Sequence, residues 1–259
     1  MGVSESRAFM QAVSVVMPTR DRPLLLRMAL DCYRHQTYRN RELIVVDDGE
    51  HFPADAEAVS AAGGRLIRVP PGTPLGTKLN AGVSEARGPL CQKMDDDDFY
   101  APDFLKIMVS AWEASRTVVC TPTVAFLAPF LFFDVARWEV RRSIDKNMPG
   151  ATLFFAREDW QERPFRAVRE DEDVWFRRDH AATGRLRPVR ALESYLAVRH
   201  NGASHDRGHT WTRQLHGEIM ESYLQRRALH EKQPDDLLPA WALPFYRRLR
   251  DEILNAGSQ

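Results

Sequence analysis

The chain has 259 residues, 44% of them hydrophobic and 28% charged, which describes a globular protein with a sizeable core and excludes fibrous and disordered classes. Basic and acidic side chains balance at 36 each, so no bulk positive field exists to hold a nucleic acid, and a phosphate-bearing ligand must be gripped locally. Three cysteines without close pairs, Cys32, Cys91 and Cys120, argue against a disulfide framework or a zinc ribbon and fit a reducing, cytoplasmic setting. No apolar run approaches the roughly 20 residues of a membrane span, and 1–12 lack the apolar core of a signal peptide. The expectation is a cytoplasmic chain without a transmembrane segment, for which peripheral membrane contact stays open.

In chain order, AVSVVMP at 12–18 is β-branched and reads as a strand, followed by a polar turn in which Pro23 suits a first helical turn. The helix over 24–36 places Leu26, Ala29, Leu30 and Tyr33 on one face. ELIVVDDG (42–49) is a nearly continuous apolar strand that ends in two aspartates and a glycine, and a short helix (54–62) and the strand RLIRVP (65–70) follow. LGTKLNAGVSEARG (75–88) reads as a helix closed by Gly88, PLCQKM (89–94) as a strand and DDDD (95–98) as its abrupt end. Beyond Pro102 a helix runs to about residue 115, and 117–126 form a further strand. The segment FLAPFLFFDVARW (126–138) is the most aromatic of the chain, and Pro129 argues against a helix through it. It reads first as core strands or a cover of the sheet, and second as an apolar binding lip. Residues 210–229 and 238–254 read as terminal helices.

Apolar strands separated by helices imply an α/β fold with a mostly parallel sheet, whose ligands sit at the carboxyl ends of the strands. The clusters TRDR, DDG and DDDD fall at three such ends. Four successive carboxylates repel one another unless a cation or hydrogen-bond donors compensate, and a divalent metal is the economical answer. On an extended segment Asp95 and Asp97 point the same way and converge on one ion while Asp96 points elsewhere. Hard oxygen ligands suit Mg²⁺ or Mn²⁺. The bland alternative is a solvated acidic loop. Asp47 and Asp48 end a second strand, where a carboxylate accepts from a nucleobase N–H or a ribose hydroxyl, and Thr19, Arg20 and Asp21 end the first.

At these residues the sequence resembles the family 2 glycosyltransferases of the GT-A fold. SVVMPTRDRPLLLRMALDCYRHQTYRNRELIVVDDG is similar to their N-terminal signature, LGTKLNAGVSEARG to the helix before the metal motif, and DDDDFYAPDF to that motif. The resemblance covers 12–115 densely. It implies one GT-A domain over 1–259, with a nucleotide-sugar-binding half (12–115), an acceptor-binding and catalytic half (116–213) and C-terminal helices (214–259). Thr19 and Asp21 would border the base, Asp48 would hold base or ribose, and Lys78 would reach the diphosphate. Asp95 to Asp97 would form the DxD motif, with Asp96 near the ribose and Asp97 the principal metal ligand beside Asp95.

VREDEDVWFRR (168–178) is similar to the family's ED-x-D-x-W segment, in which Asp171 aligns with the catalytic aspartate of inverting members. A carboxylate there removes the acceptor hydroxyl proton. Glu170 and Asp173 are the neighbouring alternatives, and an acidic helix start with Trp175 and Phe176 in the core is the plain one. RHNGASHDRGHTW (199–211) offers His200 or His205, and less readily His209, as the further metal ligand that some related enzymes carry. The implied reaction is metal-dependent, inverting transfer from a nucleotide diphosphate donor, UDP-sugar first, to a hydroxyl acceptor. The rivals are a sugar nucleotidyltransferase on a related sheet and a non-catalytic nucleotide-sugar-binding protein. GTPLGTK (72–78) has the wrong spacing for a phosphate loop, Ser14, Ser84 and Ser204 sit in no nucleophile elbow, and the scattered basic residues lack the aromatic series of a nucleic-acid surface.

Overall fold

Val13, Val15 and Met17 of the first strand face one apolar layer, and Val16 faces another. That alternation is what a strand covered on both sides requires. The computed structural model describes residues 11–116, 124–145, 148–181, 186–200 and 226–256. Strands β1 (Val13–Thr19), β2 (Arg41–Asp47), β3 (Gly64–Arg68) and β4 (Leu90–Lys93) alternate with helices α1 (Pro23–Arg34), α2 (Ala56–Ala61) and α3 (Leu75–Ser84). Then come β5 (Phe99–Tyr100), α4 (Phe104–Arg116), β6 (Val124–Leu127), β7 (Leu131–Asp134), β8 (Glu139–Arg142), β9 (Phe154–Ala156), α5 (Arg157–Glu162), α6 (Glu172–Ala181), β10 (Leu186–Val189) and β11 (Tyr195–Arg199). A short helix Pro234–Leu237 and a longer one, Leu243–Ala256, close the described chain.

Seven strands form one sheet in the order β10-β6-β9-β4-β1-β2-β3. β1 runs parallel to β2 and β4, and β2 to β3, while β9 is antiparallel to both of its neighbours. A second sheet has the order β5-β11-β7-β8. The α/β class and the mostly parallel central sheet expected from the sequence are present. Leu26, Ala29, Leu30 and Tyr33 of α1 are all buried, and Pro23 opens that helix. The opposite face of the sheet receives Leu79 and Val83 of α3. Each such fully buried side chain contributes about 1.5–3 kcal/mol through removal from water.

Two expectations change, and one alternative is decided. Helix α3 stops at Ser84, with Glu85 as its cap, so Gly88 does not close it. Gly88 instead enters β4, where its N–H donates to Ser14 Oγ at 2.9 Å and an added Cβ would lie 2.7 Å from the Ala12 carbonyl oxygen. The glycine serves close approach to β1, not helix termination. The aromatic segment is divided between β6 in the large sheet and β7 in the small one, with Phe126, Phe130, Phe132 and Phe133 buried. Phe130 packs against Tyr195, and Phe133 against Tyr246 of the C-terminal helix. This is the core reading, and it leaves no apolar lip in that segment. The C-terminal helix begins at Leu243 because Pro239 and the turn before it break the run from 238. The helix expected over 210–229 lies almost wholly outside the described residues, as does 117–123 of the strand expected there. Among the described residues no helix is long and apolar enough to cross a membrane.

Candidate active site

Because β1, β2 and β4 are parallel, their carboxyl ends open on one edge, with Thr19 in register with Asp47. The chain runs outward from β1 to β2 and β3, then returns to place β4 on the other side of β1. The crevice between β1 and β4 is therefore the switch point at which open α/β sheets bind ligands. Side chains bridge it directly: Thr19 Oγ1 donates to Asp96 Oδ2 at 2.7 Å, and Arg22, the residue before α1, reaches Asp96 and Asp97.

The run 95–98 does not lie in solvent as a simple acidic loop. Asp96, Asp97 and Asp98 are buried and Asp95 is half-buried. Lys93 Nζ, itself buried, lies 2.7 Å from Asp95 Oδ1. Asp96 accepts from Thr19 and Arg22, and Asp97 Oδ2 takes the same Arg22 Nη1 at 2.9 Å. Asp98 accepts from Tyr195 Oη and from the Val198 N–H. The repulsion that first suggested a metal is thus met in part by two cations and several donors of the chain itself. Still, Asp95, Asp97 and Asp98 each offer an oxygen within 4.8 Å of one another. The i, i+2 convergence of Asp95 and Asp97 is present, while Asp96 turns to Thr19.

The residues at the ends of β1 and β2 are ordered by a second network. Asp21, in the left-handed region at φ 51°, accepts through Oδ1 from the N–H groups of Glu50, His51 and Phe52 at 2.8–2.9 Å. Burial acts to raise its pKa, but these three bonds outweigh it and hold the carboxyl below the usual range. Asp47 is structural: it accepts from Gly49 and Ala54 N–H groups and from Arg68. Asp48 is held by Lys78 Nζ at 2.6 Å and the Gly72 N–H at 3.1 Å, with Arg20 at 3.7 Å. Lys78 is buried and also donates to the Thr19 carbonyl, so it links the ends of β1 and β2 instead of extending freely from α3.

The acidic segment 168–178 reaches this edge through α3. The Gly76 N–H donates to the Val168 carbonyl, and an added Cβ on Gly76 would lie 1.8 Å from the Arg166 carbonyl oxygen, so only glycine admits the 166–168 strand of chain there. Asp171, at φ 61°, precedes α6, its carbonyl accepting the Trp175 N–H. Its side chain is exposed and meets no hydrogen-bonding partner among the described residues. Glu172 points inward and is buried 3.5 Å from Lys93 Nζ. Lys93 therefore ties Asp95 to the first residue of α6. Burial pushes Glu172 up to about 7, with Lys93 opposing and Asp173 and Asp95 adding to the rise. Glu170 is exposed and Asp173 is half-buried beside Gly150. Phe176 is in the core and Trp175 is not, lying instead under Arg166 at 4.0 Å.

His200 is 0% exposed, 3.8 Å from Asp97 Oδ2, and neither ring nitrogen has a hydrogen-bond partner among the described residues. His205 and His209 lie outside them. Cys32 and Cys91 are free, and burial pushes both thiols up to about 12, which removes them as nucleophiles. Sequence reasoning passed over Arg22, Lys93, Asp98, Tyr195 and Glu172. A lysine inside a strand buried on both faces was a usable signal, because such a charge must be paired.

Burial, followed by the charge of Asp97, pushes Asp98 up to about 8. A carboxyl raised in the folded state binds its proton there while the unfolded chain has already lost it. Stability from Asp98 is complete near pH 4 and declines as pH rises toward 8, and Glu172 acts likewise between about 4.5 and 7. In chelator, the melting temperature is expected to fall by about 2–6 °C between pH 5.5 and 8. Asp98→Asn should flatten this slope, and an unchanged slope would remove Asp98 from the account.

Comparison with known proteins bears on this geometry. A putative glycosyltransferase EpsH from Bacillus subtilis is 29% identical over 119 residues, 44% of this chain and 35% of its own. An uncharacterized glycosyltransferase from Rickettsia bellii is 32% identical over 97 residues, 37% of this chain and 14% of its own. The chain thus spans about a third or less of the length of these curated relatives. Among solved structures, the mannosyltransferase PcManGT from Pyrobaculum calidifontis, in complex with GDP-Man and Mn²⁺, aligns with TM-score 0.59 and 17% identity over 97% of this chain and 76% of that one. S. aureus TarS 1-349 in complex with UDP-GlcNAc aligns with TM-score 0.58 and 16% identity over 75% and 60%. At these identities the likeness is one of fold. The family model described as glycosyl transferase family 2 matches residues 14–196, more than two thirds of the chain, so this protein belongs to that family and shares the fold of these solved structures.

Proposed function

We propose that the chain moves a sugar from a nucleoside diphosphate donor to a hydroxyl-bearing acceptor in one inverting displacement assisted by a divalent ion, Mn²⁺ or Mg²⁺. The observation that carries the metal-assisted part is the convergence of Asp95, Asp97 and Asp98 oxygens within 4.8 Å beside His200, a buried imidazole with both nitrogens unused among the described residues. A buried polar group without a partner is costly, and a metal would satisfy it. Asp97 and Asp95 with His200 would hold the ion. Asp98 is the less available ligand, because both of its oxygens already accept hydrogen bonds. When bound, such an ion supplies positive charge against that developing on the departing diphosphate.

Asp171 is the base in this reading. Its carboxylate takes the acceptor hydroxyl proton as that oxygen bonds to the anomeric carbon, and the sugar–diphosphate bond breaks with its electron pair leaving on the nucleotide. Glu172 is less suited, being buried and committed to Lys93. Thr19, Asp21 and Asp48 border the base and ribose, Asp96 lies on the ribose side, and Lys78 acts by fixing Asp48. UDP is the first choice of nucleotide. The structural neighbours named above carry UDP-GlcNAc in one case and GDP-Man with Mn²⁺ in the other, so guanosine donors belong in the test. A thermal-shift screen of UDP- and GDP-sugars with Mn²⁺ or Mg²⁺ should give a metal-dependent rise in melting temperature. Slow release of nucleoside diphosphate should follow from the same donor. Binding without release in the presence of any acceptor would favour a non-catalytic sugar-nucleotide carrier, and no stabilisation by any pair would sink the proposal.

A further inference from the structure

Arg22 holds Asp96 Oδ1 at 3.0 Å and Asp97 Oδ2 at 2.9 Å with the same Nη1, so one NH₂ group is shared between carboxylates of two residues. Arginine–carboxylate pairs are frequently bidentate, whereas Arg22 divides one nitrogen between two residues. The side chain is 16% exposed and its two partners are almost fully buried, so the contact is shielded from solvent screening. The oxygen it takes on Asp97, Oδ2, is also the one that His200 Nε2 faces at 3.8 Å. An ion shared by Asp97 and His200 and the guanidinium of Arg22 therefore contend for one atom.

We infer that Arg22 is the resident counter-cation of the site, and that it must release Asp97 for a divalent ion to bind. The inference rests on the metal-assisted reading above. In the free protein Arg22 offsets part of the charge of Asp96 and Asp97 and keeps them ordered across the switch point between β1 and β4. Removed from Asp97, its guanidinium stays at the crevice as a cation suited to a nucleoside diphosphate. Metal and nucleotide then favour each other: each finds Asp97 and Arg22 already separated by the other. Linkage requires that the enhancement be equal in both directions. Arg22 is in this role a positioning residue for donor binding.

The test is titration calorimetry of Mn²⁺ into the full chain, alone and with saturating UDP or GDP, for wild type and Arg22→Met. The expected result is that Arg22→Met binds Mn²⁺ alone about tenfold more tightly than wild type, while the enhancement by nucleotide shrinks by a similar factor. Equal or weaker Mn²⁺ binding by a folded Arg22→Met overturns the inference and leaves the metal reading standing. No Mn²⁺ binding to wild type even with nucleotide overturns both. Should circular dichroism show Arg22→Met unfolded, Arg22→Lys takes its place. A lysine ammonium lacks the planar reach of the guanidinium, so Mn²⁺ affinity should again exceed wild type, and an affinity at or below wild type counts against the inference.

Discussion

Asp171→Asn is expected to lower turnover with acceptor by about 10²–10⁴ while leaving nucleotide affinity within about twofold. The substitution suits the position. Asp171 sits at φ 61°, in the left-handed region, and asparagine is among the few residues that adopt it at little cost. Backbone and volume are retained, and what is lost is the ability to take a proton. Its exposed side chain has no partner to strand among the described residues, so the variant should fold as wild type does. The control is Glu172→Gln, one residue away and buried on Lys93. It removes the titrating member of the Lys93, Asp95 and Glu172 array, so it should alter the melting temperature and its pH dependence and change turnover far less. Nucleoside diphosphate release at saturating donor, together with binding calorimetry, separates the two effects. If Asp171→Asn keeps most of its turnover and Glu172→Gln loses it, the base is Glu172 and the alignment with the ED-x-D-x-W segment has misled by one position.

Such a one-residue ambiguity marks where sequence reading ends. The β/α alternation over the first hundred residues was legible because each apolar strand had its own polar terminus, and parallel strands must place those termini together. Convergence of TRDR, DDG and DDDD on one edge followed from period and topology alone. What each carboxylate touches did not. Asp98 is fixed by Tyr195 Oη and the Val198 N–H, about a hundred residues away, and nothing local in DDDD distinguishes it from Asp96. Lys78 read as a diphosphate ligand because helical periodicity does not say that Asp48 stands beneath it. Gly88 read as a helix cap because a glycine ending an amphipathic run usually is one, whereas here its value is a close approach to Ala12 that depends on the β1–β4 pairing. The aromatic stretch 126–138 was ambiguous for a different reason. Aromatic side chains serve a core and a binding lip equally well, and only the division of the segment between two sheets decides for the core.

Asp97→Asn should abolish the metal dependence of the reaction. Asp97 belongs to the converging oxygens with Asp95 and Asp98, and of these carboxylates it is the one His200 faces. Asparagine keeps the shape but offers a neutral oxygen to a hard cation, which weakens an ion bound mainly by charge. Arg22 loses one of its two carboxylates but keeps Asp96, so the crevice should stay closed and the fold intact. Turnover is expected to fall by about 10³ and to become insensitive to added Mn²⁺ or Mg²⁺, the size of effect seen when charge stabilisation of a leaving group is removed. Asp96→Asn gives the contrast. Asp96 is occupied by Thr19 and Arg22 and lies outside the converging oxygens, so its variant should keep a clear response to metal even if donor affinity drops. The measurement is the ratio of initial rates with saturating Mn²⁺ and with chelator, taken for all three proteins. A ratio for Asp97→Asn equal to that of wild type would mean that the ion, if one takes part, is held elsewhere, and the acidic run would then revert to a set of internally compensated side chains that order the end of β4.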